Sequence, residues 1–273
     1  MTPNLANIRA VLLDMDGVLY VGDRPRPGEQ DFLDYLDATG RGWLCVTNTA
    51  SKTPEAFAAK LAQMSVRAAP AHVFSSAQAT AGWLAEQVRV DGLIPGKAFL
   101  FGMEGLRQAL LSEGFPLTDD PFAADYAVAG ANFELTYEQL ADMTLAIRNG
   151  ARFVGTNPDS SFPTERGPTP GTGSMLALLA AASGVAPEIV GKPNAPMFEL
   201  AMQRLGTEPA NTLMVGDRYE TDIAGAIALG MPTVGVLTGI NTAEEFAAED
   251  PPPALVVDDL PALLKLMLEA DQG

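Results

Sequence analysis

The chain has little of several residue types, and each shortage excludes a class of function. Among its 273 residues there are one cysteine, Cys45, and one histidine, His72. A single cysteine excludes an internal disulfide and a cysteine-based zinc site. A single histidine likewise excludes a histidine-rich metal site. Cys45 lies in the apolar run 42–46, where a small buried side chain is expected rather than a nucleophile.

Basic residues are also scarce. The chain has 17 Lys and Arg against 34 Asp and Glu, a net charge of −17. Nucleic acid or an anionic lipid surface would be repelled, and no cluster of Lys and Arg offers a local exception. We therefore expect neither as a partner. A phosphate-bearing substrate would need positive charge supplied within its own site.

Long apolar runs are missing as well. No uninterrupted apolar run approaches the ~20 residues that span a bilayer. The first residues also lack the basic start and apolar stretch of a secretory signal. The sequence thus predicts a cytoplasmic location. With 47% hydrophobic residues, it can nonetheless bury an ordinary globular core.

Short apolar runs alternate with longer helical stretches, which is typical of an α/β fold with a largely parallel sheet. We predict strands at 10–13, 43–46, 73–75, 98–101, 126–128, 152–154, 188–190, 212–215, 232–236 and 255–257. The middle series carries few acidic residues at its strand ends. This difference predicts an inserted domain at 82–185, with 1–81 and 186–273 forming the first domain.

Two carboxylates follow the first predicted strand. Asp14 ends that strand, Asp16 comes two residues later, and Gly17 follows directly. At ~4 Å and an effective dielectric of ~20, two such charges repel by about 4 kcal/mol. A metal at Asp14 and partial protonation of Asp16 would relieve this repulsion and suit Asp16 to act as an acid. An Asp-rich turn that only caps a helix is the alternative.

Other predicted strands also end in polar residues, and ligands of open α/β sheets bind beyond the carboxyl ends of strands. Asp217 follows the strand at 212–215, and Asp222 follows five residues later. Oxygen ligands of this kind suit magnesium. An acidic helix N-terminus is the alternative for Asp222. Thr47 offers a hydroxyl to an oxyanion, and Lys192 lies fixed between a glycine and a proline.

Together these motifs resemble those of the haloacid-dehalogenase superfamily of phosphohydrolases. The first motif is matched by Asp14 and Asp16, and the second by Thr47. The third is matched by Lys192, and the fourth by Asp217 and Asp222. The long insertion, with TNPD at 156–159 and PGTGS at 170–174, resembles the NagD/p-nitrophenylphosphatase branch. That branch usually has asparagine at both positions after the threonine, whereas here Asn48 is followed by Thr49. The resemblance implies a Rossmann-like, doubly wound core with a large α/β cap.

The resemblance further implies a magnesium-dependent phosphatase that hydrolyses small phosphate monoesters. Asp14 would form an aspartyl-phosphate, and Asp16 would protonate the leaving oxygen and then activate water. Asp14, the backbone carbonyl of Asp16, and Asp217 would hold Mg²⁺, with Asp222 beside them. Lys192 and the Thr47 hydroxyl would hold the remaining phosphate oxygens.

The cap is expected to determine which small phosphorylated metabolite is bound. Asn157 and Asp159, together with Asn48, are candidate substrate-binding residues. An Asx-type turn is the alternative for Asn157 and Asp159. Sugar phosphates, nucleotides, polyol phosphates and pyridoxal phosphate all remain open as substrates. The resemblance also implies that the cap can mediate a homodimer.

Other functions remain open beside this one. Dehalogenation of a haloacid needs neither magnesium nor the acid at position 16, so Asp16 argues against it. A phosphomutase would use the same first step and return the phosphoryl group to sugar. A protein that binds a phosphate ligand without catalysis would belong to a different class.

Overall fold

The computed structural model describes residues 3–164 and 166–273. Predictions about the N-terminal segment that concern Met1 and Thr2 therefore lie outside the described residues. The β-strands are β1 Ala10–Leu13, β2 Tyr20–Val21, β3 Arg24–Pro25, β4 Gly42–Thr47, β5 Val73–Ser75, β6 Ala98–Phe101, β7 Tyr126–Ala129, β8 Arg152–Gly155, β9 Ser161–Thr164, β10 Gly167–Pro170, β11 Glu188–Ile189, β12 Thr212–Gly216, β13 Thr233–Val236 and β14 Leu255–Val257.

Helices connect these strands. The α-helices are α1 Glu29–Ala38, α2 Pro54–Gln63, α3 Ser76–Val90, α4 Glu104–Ser112, α5 Tyr137–Arg148, α6 Thr172–Ser183, α7 Ala195–Leu205, α8 Ala224–Ala228, α9 Ala243–Ala248 and α10 Leu260–Gln272. A π-helical turn, Tyr219–Ile223, precedes α8. In the described part of the chain, no helix is both long and apolar enough to cross a bilayer.

The chain forms two compact units. The first comprises Met1–Thr47, Glu55–Phe74 and Phe198–Gly273, and the second comprises Asn48–Pro54 and Ser75–Met197. The domain limits predicted from the sequence, 82 and 185, stay a prediction. The predicted α/β fold class is confirmed, because each unit is built around a parallel sheet with helices between its strands.

The first unit contains a six-stranded sheet in the order β14-β13-β12-β1-β4-β5. Strand β1 is central and pairs in parallel with β12 on one side and β4 on the other. All four of its residues are fully buried. A short run that is apolar at every position suits a parallel strand covered on both faces. Because the strands are parallel, the residues that follow β1, β4 and β12 emerge at the same edge of the sheet.

The second unit contains a four-stranded sheet in the order β11-β8-β7-β6. Its strands pair in parallel, and β9 and β10 form a separate antiparallel hairpin. The core between this sheet and its helices includes Phe101, Phe153 and Leu176. Residues that follow β8 and β11 therefore also emerge at one edge, within this unit.

Local capping fixes where two of the helices of the second unit begin. At α3 the Ser75 hydroxyl accepts from the backbone of Gln78, whose side chain accepts in return from the Ser75 N–H. The same reciprocal bonds join Thr136 and Gln139 at α5. Each bond satisfies a backbone donor that would otherwise lack a helical partner.

Candidate active site

A tight turn after β1 presents the two carboxylates of the first motif. The Asp14 N–H donates to the carbonyl of Val215 at 2.9 Å, so Asp14 extends the pairing of β1 with β12. Three residues later the Gly17 N–H donates to the Tyr20 carbonyl at 2.7 Å. Gly17 has a φ of +94°, which favours glycine strongly. The turn therefore leaves Asp14 half-buried at the strand end and Asp16 exposed beyond it.

Three carboxylates converge at this edge of the first unit. Asp217 follows β12, and the π-helical turn brings Asp222 beside it. One carboxylate oxygen from each of Asp14, Asp217 and Asp222 lies within 4.8 Å of the others. Asp217 and Asp222 are buried, so their charges are poorly screened by solvent. A set of close, all-oxygen ligands fits magnesium well.

Backbone groups orient two of these carboxylates. The Ile240 N–H donates to Asp217 Oδ2 at 2.8 Å, and the Arg218 N–H donates to Asp222 Oδ2 at 3.2 Å. The main chain also comes very close to Asp217 at Gly239. A Cβ added there would lie 1.9 Å from Asp217 Oδ2. Glycine is thus required at position 239 for the carboxylate to occupy its place.

Asp16 has the properties expected of a proton donor. Although the residue is exposed, surrounding protein atoms remove part of its hydration, and this desolvation raises the pKa of its carboxyl. The positive charges of Lys60 and Arg26 lower the pKa of the same carboxyl and partly offset the rise. Lys60 is held nearby, with its Nζ 4.1 Å from the centroid of the Tyr20 ring.

One part of this edge was missed by the sequence predictions. The segment 238–241 follows β13, and its Thr238 hydroxyl donates to the Gly17 carbonyl at 2.6 Å. The available signal was a Thr-Gly pair at 238–239, one residue beyond an apolar strand of the same sheet. A single hydroxyl in that position is too common in loops to have been selected.

The second unit brings together a different group of predicted residues. Asn157 is buried, and its amide donates to the Asn48 carbonyl at 2.8 Å and to the hydroxyls of Thr156 and Thr172, each at 3.2 Å. Its Oδ1 accepts from the Asp159 N–H at 3.2 Å. This last bond forms the Asx turn that was the alternative interpretation of the TNPD motif. Asn157 therefore fixes the position of the backbone at Asn48.

Asn48 in turn contacts the third motif. Its amide donates to the Lys192 carbonyl at 2.9 Å and to Asp159 Oδ2 at 3.1 Å. Lys192 is only 2% exposed, which is rare for lysine and indicates a fixed position. A Cβ added at Gly191 would lie 2.4 Å from the Thr156 carbonyl, so glycine permits this close packing.

The predicted site residues are thus grouped within each unit. Asp14, Asp16, Asp217 and Asp222 lie at the sheet edge of the first unit, and Thr47 ends β4 of the same sheet. Asn48, Asn157, Asp159 and Lys192 form the cluster of the second unit. The chemical role of each residue stays a prediction.

Comparison with known proteins gives this arrangement a family. A haloacid dehalogenase-like hydrolase model matches residues 11–116, and a HAD-hydrolase-like model matches residues 189–263. The acid sugar phosphatase of Staphylococcus aureus is 40% identical over 253 residues, which cover 92% of this chain and 95% of that protein.

Two solved structures show the same fold over nearly the whole chain. The glycerol phosphate phosphatase of Mycobacterium tuberculosis, determined in complex with magnesium, is 35% identical with a TM-score of 0.85, and the match covers 96% of this chain and 78% of that one. NagD from Escherichia coli K-12 is 28% identical with a TM-score of 0.85, over 93% and 97% of the two chains. The resemblance inferred from the motifs is confirmed: the chain belongs to the haloacid dehalogenase-like hydrolase family, within its NagD-like branch.

Proposed function

We propose that this chain hydrolyses small phosphate monoesters with Asp14 as the nucleophile and magnesium as the cofactor. The predicted enzyme class, a phosphatase, is confirmed by relatives of this family that are named for phosphatase activity. The observation that carries the proposed mechanism is the convergence of three carboxylates at the edge where Asp16 is also exposed.

Asp14, Asp217 and Asp222 would hold the magnesium ion, together with the backbone carbonyl of Asp16 that the family motif implies. When bound, the ion would offset the repulsion between these carboxylates and an incoming phosphoryl group. The relative of known structure that was determined with magnesium supports this choice of metal.

The chain's own residues would perform the chemistry in two steps. A carboxylate oxygen of Asp14 attacks phosphorus, the bond from phosphorus to the leaving oxygen breaks, and Asp16 donates its proton to that oxygen. Water then attacks the phosphorus of the aspartyl-phosphate while Asp16 removes a proton from the water. This second step releases inorganic phosphate and restores the Asp14 carboxylate. The raised pKa of Asp16 suits a group that must hold a proton first and accept one later.

Lys192 and Thr47 would hold the other phosphoryl oxygens, as their motifs imply. The burial of Lys192 supports a fixed role for its charge, since an unconstrained lysine would be solvated. A fixed lysine would also supply positive charge locally in a chain whose net charge is −17.

Among the substrates left open by the sequence, we favour phosphate esters of sugars or small polyols. Support comes from the relatives named acid sugar phosphatase and glycerol phosphate phosphatase. Asn48 and Asp159 remain candidate substrate-binding residues, whereas the bonds of Asn157 favour a supporting role. The cytoplasmic location and a homodimer formed through the cap stay predictions.

The test is release of inorganic phosphate from a panel of phosphate monoesters, with and without EDTA. Asp14→Asn removes the nucleophile, so turnover should fall by more than about a thousandfold while the fold remains intact. The matched control is Asp119→Asn at an exposed position, which should retain full activity. Near-normal hydrolysis by Asp14→Asn would overturn the mechanism. Transfer of the phosphoryl group to a sugar would indicate a phosphomutase, and binding without turnover would indicate a non-catalytic protein.

A further inference from the structure

The segment 238–241, which no motif assigns, contacts both the nucleophile turn and a candidate metal ligand. The Thr238 hydroxyl donates to the Gly17 carbonyl at 2.6 Å. The Ile240 N–H donates to Asp217 Oδ2 at 2.8 Å, and the Asn241 N–H donates to the Asp217 carbonyl at 3.0 Å. One short loop thus ties together chain segments that are 200 residues apart in sequence.

The bond from Thr238 acts on Gly17, the residue of the nucleophile turn whose backbone is least restricted by its own side chain. Gly17 lacks a Cβ and therefore has unusual backbone freedom. Its N–H donates to the Tyr20 carbonyl at 2.7 Å, which fixes the peptide between Asp16 and Gly17. The peptide after Gly17 is fixed by Thr238. Because peptide units are planar, these two bonds leave little freedom to the backbone between Asp14 and the hairpin that follows.

Arg26 holds Thr238 in place for this contact. Its guanidinium donates to the Thr238 carbonyl, and its backbone N–H donates to the Leu19 carbonyl at 2.9 Å. The side chain is half-buried, and its Nε is buried with no hydrogen-bond partner among the described residues. An arginine in this position spans the turn and the 238–241 segment. The orientation of the Arg26 guanidinium is therefore set by its contact with the Thr238 carbonyl rather than by solvent.

We propose that Thr238 is a positioning residue for the nucleophile turn and that Arg26 fixes Thr238 for this role. The inference rests on the proposed function of Asp14. Thr238 touches the Gly17 carbonyl and acts on the reaction through the backbone that carries Asp14 and Asp16. Attack in line with the leaving group tolerates little misplacement of the nucleophile, so loss of this restraint should slow turnover.

The decisive variant is Thr238→Val, which keeps the shape of the side chain and removes the donor. We expect kcat to fall about tenfold to a hundredfold, since small displacements of reacting groups have effects of this size. KM should stay within about twofold of its original value, because no substrate contact is removed. Thr238→Ser retains the hydroxyl and should restore most of the lost kcat. Arg26→Met should lower kcat in the same direction by a smaller factor.

One further measurement and one control variant separate positioning from a general loss of stability. Magnesium affinity of the substrate-free protein, measured by calorimetry, should weaken in Thr238→Val because Asp14 is a proposed ligand. Thr144→Val is the matched control: its hydroxyl also donates to a backbone carbonyl, at 2.7 Å from Leu140 O, in the second unit. This control should leave both kcat and magnesium affinity unchanged.

The proposal is overturned if Thr238→Val keeps kcat and magnesium affinity within about twofold of the original protein. It is also overturned if Thr238→Ser is as impaired as the valine variant. Should Thr238→Val fail to fold, the same comparison is made with Thr238→Ser and Arg26→Met. An original protein that releases no phosphate would overturn the proposed function, while the magnesium affinities of the variants would still test the positioning.

Discussion

The two clusters of predicted site residues differ in the interactions between their side chains. In the first unit, Asp14, Asp217 and Asp222 place three carboxylates within 4.8 Å of one another. In the second unit, Asn48 and Asn157 connect their segments through neutral amides that donate to carbonyls and hydroxyls. The first, which we call the carboxylate cluster, concentrates charge of one sign. The second, which we call the amide cluster, is joined by amide donors, although the buried Asn48 Oδ1 has no hydrogen-bond partner among the described residues.

This difference has an energetic consequence. At separations of no more than 4.8 Å and an effective dielectric of ~20, each ionised pair repels by at least about 3.5 kcal/mol. A divalent cation offsets that cost, so the cluster should gain stability when magnesium binds. The amide cluster has no comparable repulsion. Each of its hydrogen bonds contributes about 1 kcal/mol whether or not metal is present.

The largest expected effect comes from removing one charge of the carboxylate cluster. Asp217→Asn should lower turnover by at least about a hundredfold, because a lost metal ligand removes several kcal/mol of charge stabilisation. In EDTA the same variant should be more stable than the original protein by at least about 1 kcal/mol, since the repulsion of Asp217 with both Asp14 and Asp222 is relieved. Denaturant unfolding with and without magnesium provides the measurement. Equal stabilisation of both proteins by magnesium would contradict the assignment of Asp217 as a ligand.

An intermediate effect is expected in the amide cluster. Asn157→Ala leaves several buried groups without their partner and should destabilise the protein by about 2–4 kcal/mol. The loss should be the same in EDTA and in magnesium, in contrast to Asp217→Asn. Asn149→Ala is the control, because its amide also donates to a carbonyl, that of Phe122, but at an exposed position. A loss for Asn157→Ala that appears only with magnesium present would remove the distinction between the clusters.

The carboxylate cluster was largely predictable because its signal is local. The buried runs of β1 and β12 end directly before Asp14 and Asp217. Parallel pairing then brings such ends to one edge of the sheet. The placement of Asp222 was harder to predict, since it depends on a π-helical turn that no simple periodicity indicates.

The amide cluster and the positioning contacts were less predictable because they depend on pairs far apart in sequence. Asn157 reaches the Asn48 carbonyl across 109 residues, and Thr238 reaches Gly17 across 221. Neither contact follows from helix or strand periodicity. The hairpin of β2 and β3 was missed for another reason: its strands have two residues each, too few to show alternation.

The smallest expected effect concerns how the amide cluster is supported. Glu188 in β11 accepts from Arg152 in β8 at 2.6 and 2.8 Å, and these strands lead to Lys192 and Asn157. Hydrogen bonds from Arg152 lower the pKa of Glu188. A pKa that is lowered on folding stabilises the folded state at pH values above the unfolded-state pKa of about 4.3. This contribution is lost as the pH falls through the pKa of the folded state. Both groups are partly exposed, so the effect should stay below about 1 kcal/mol. The free energy of unfolding of Glu188→Gln should therefore equal that of the original protein at low pH and be lower than it at neutral pH. Identical curves at both pH values would show that the ion pair contributes nothing to holding β11.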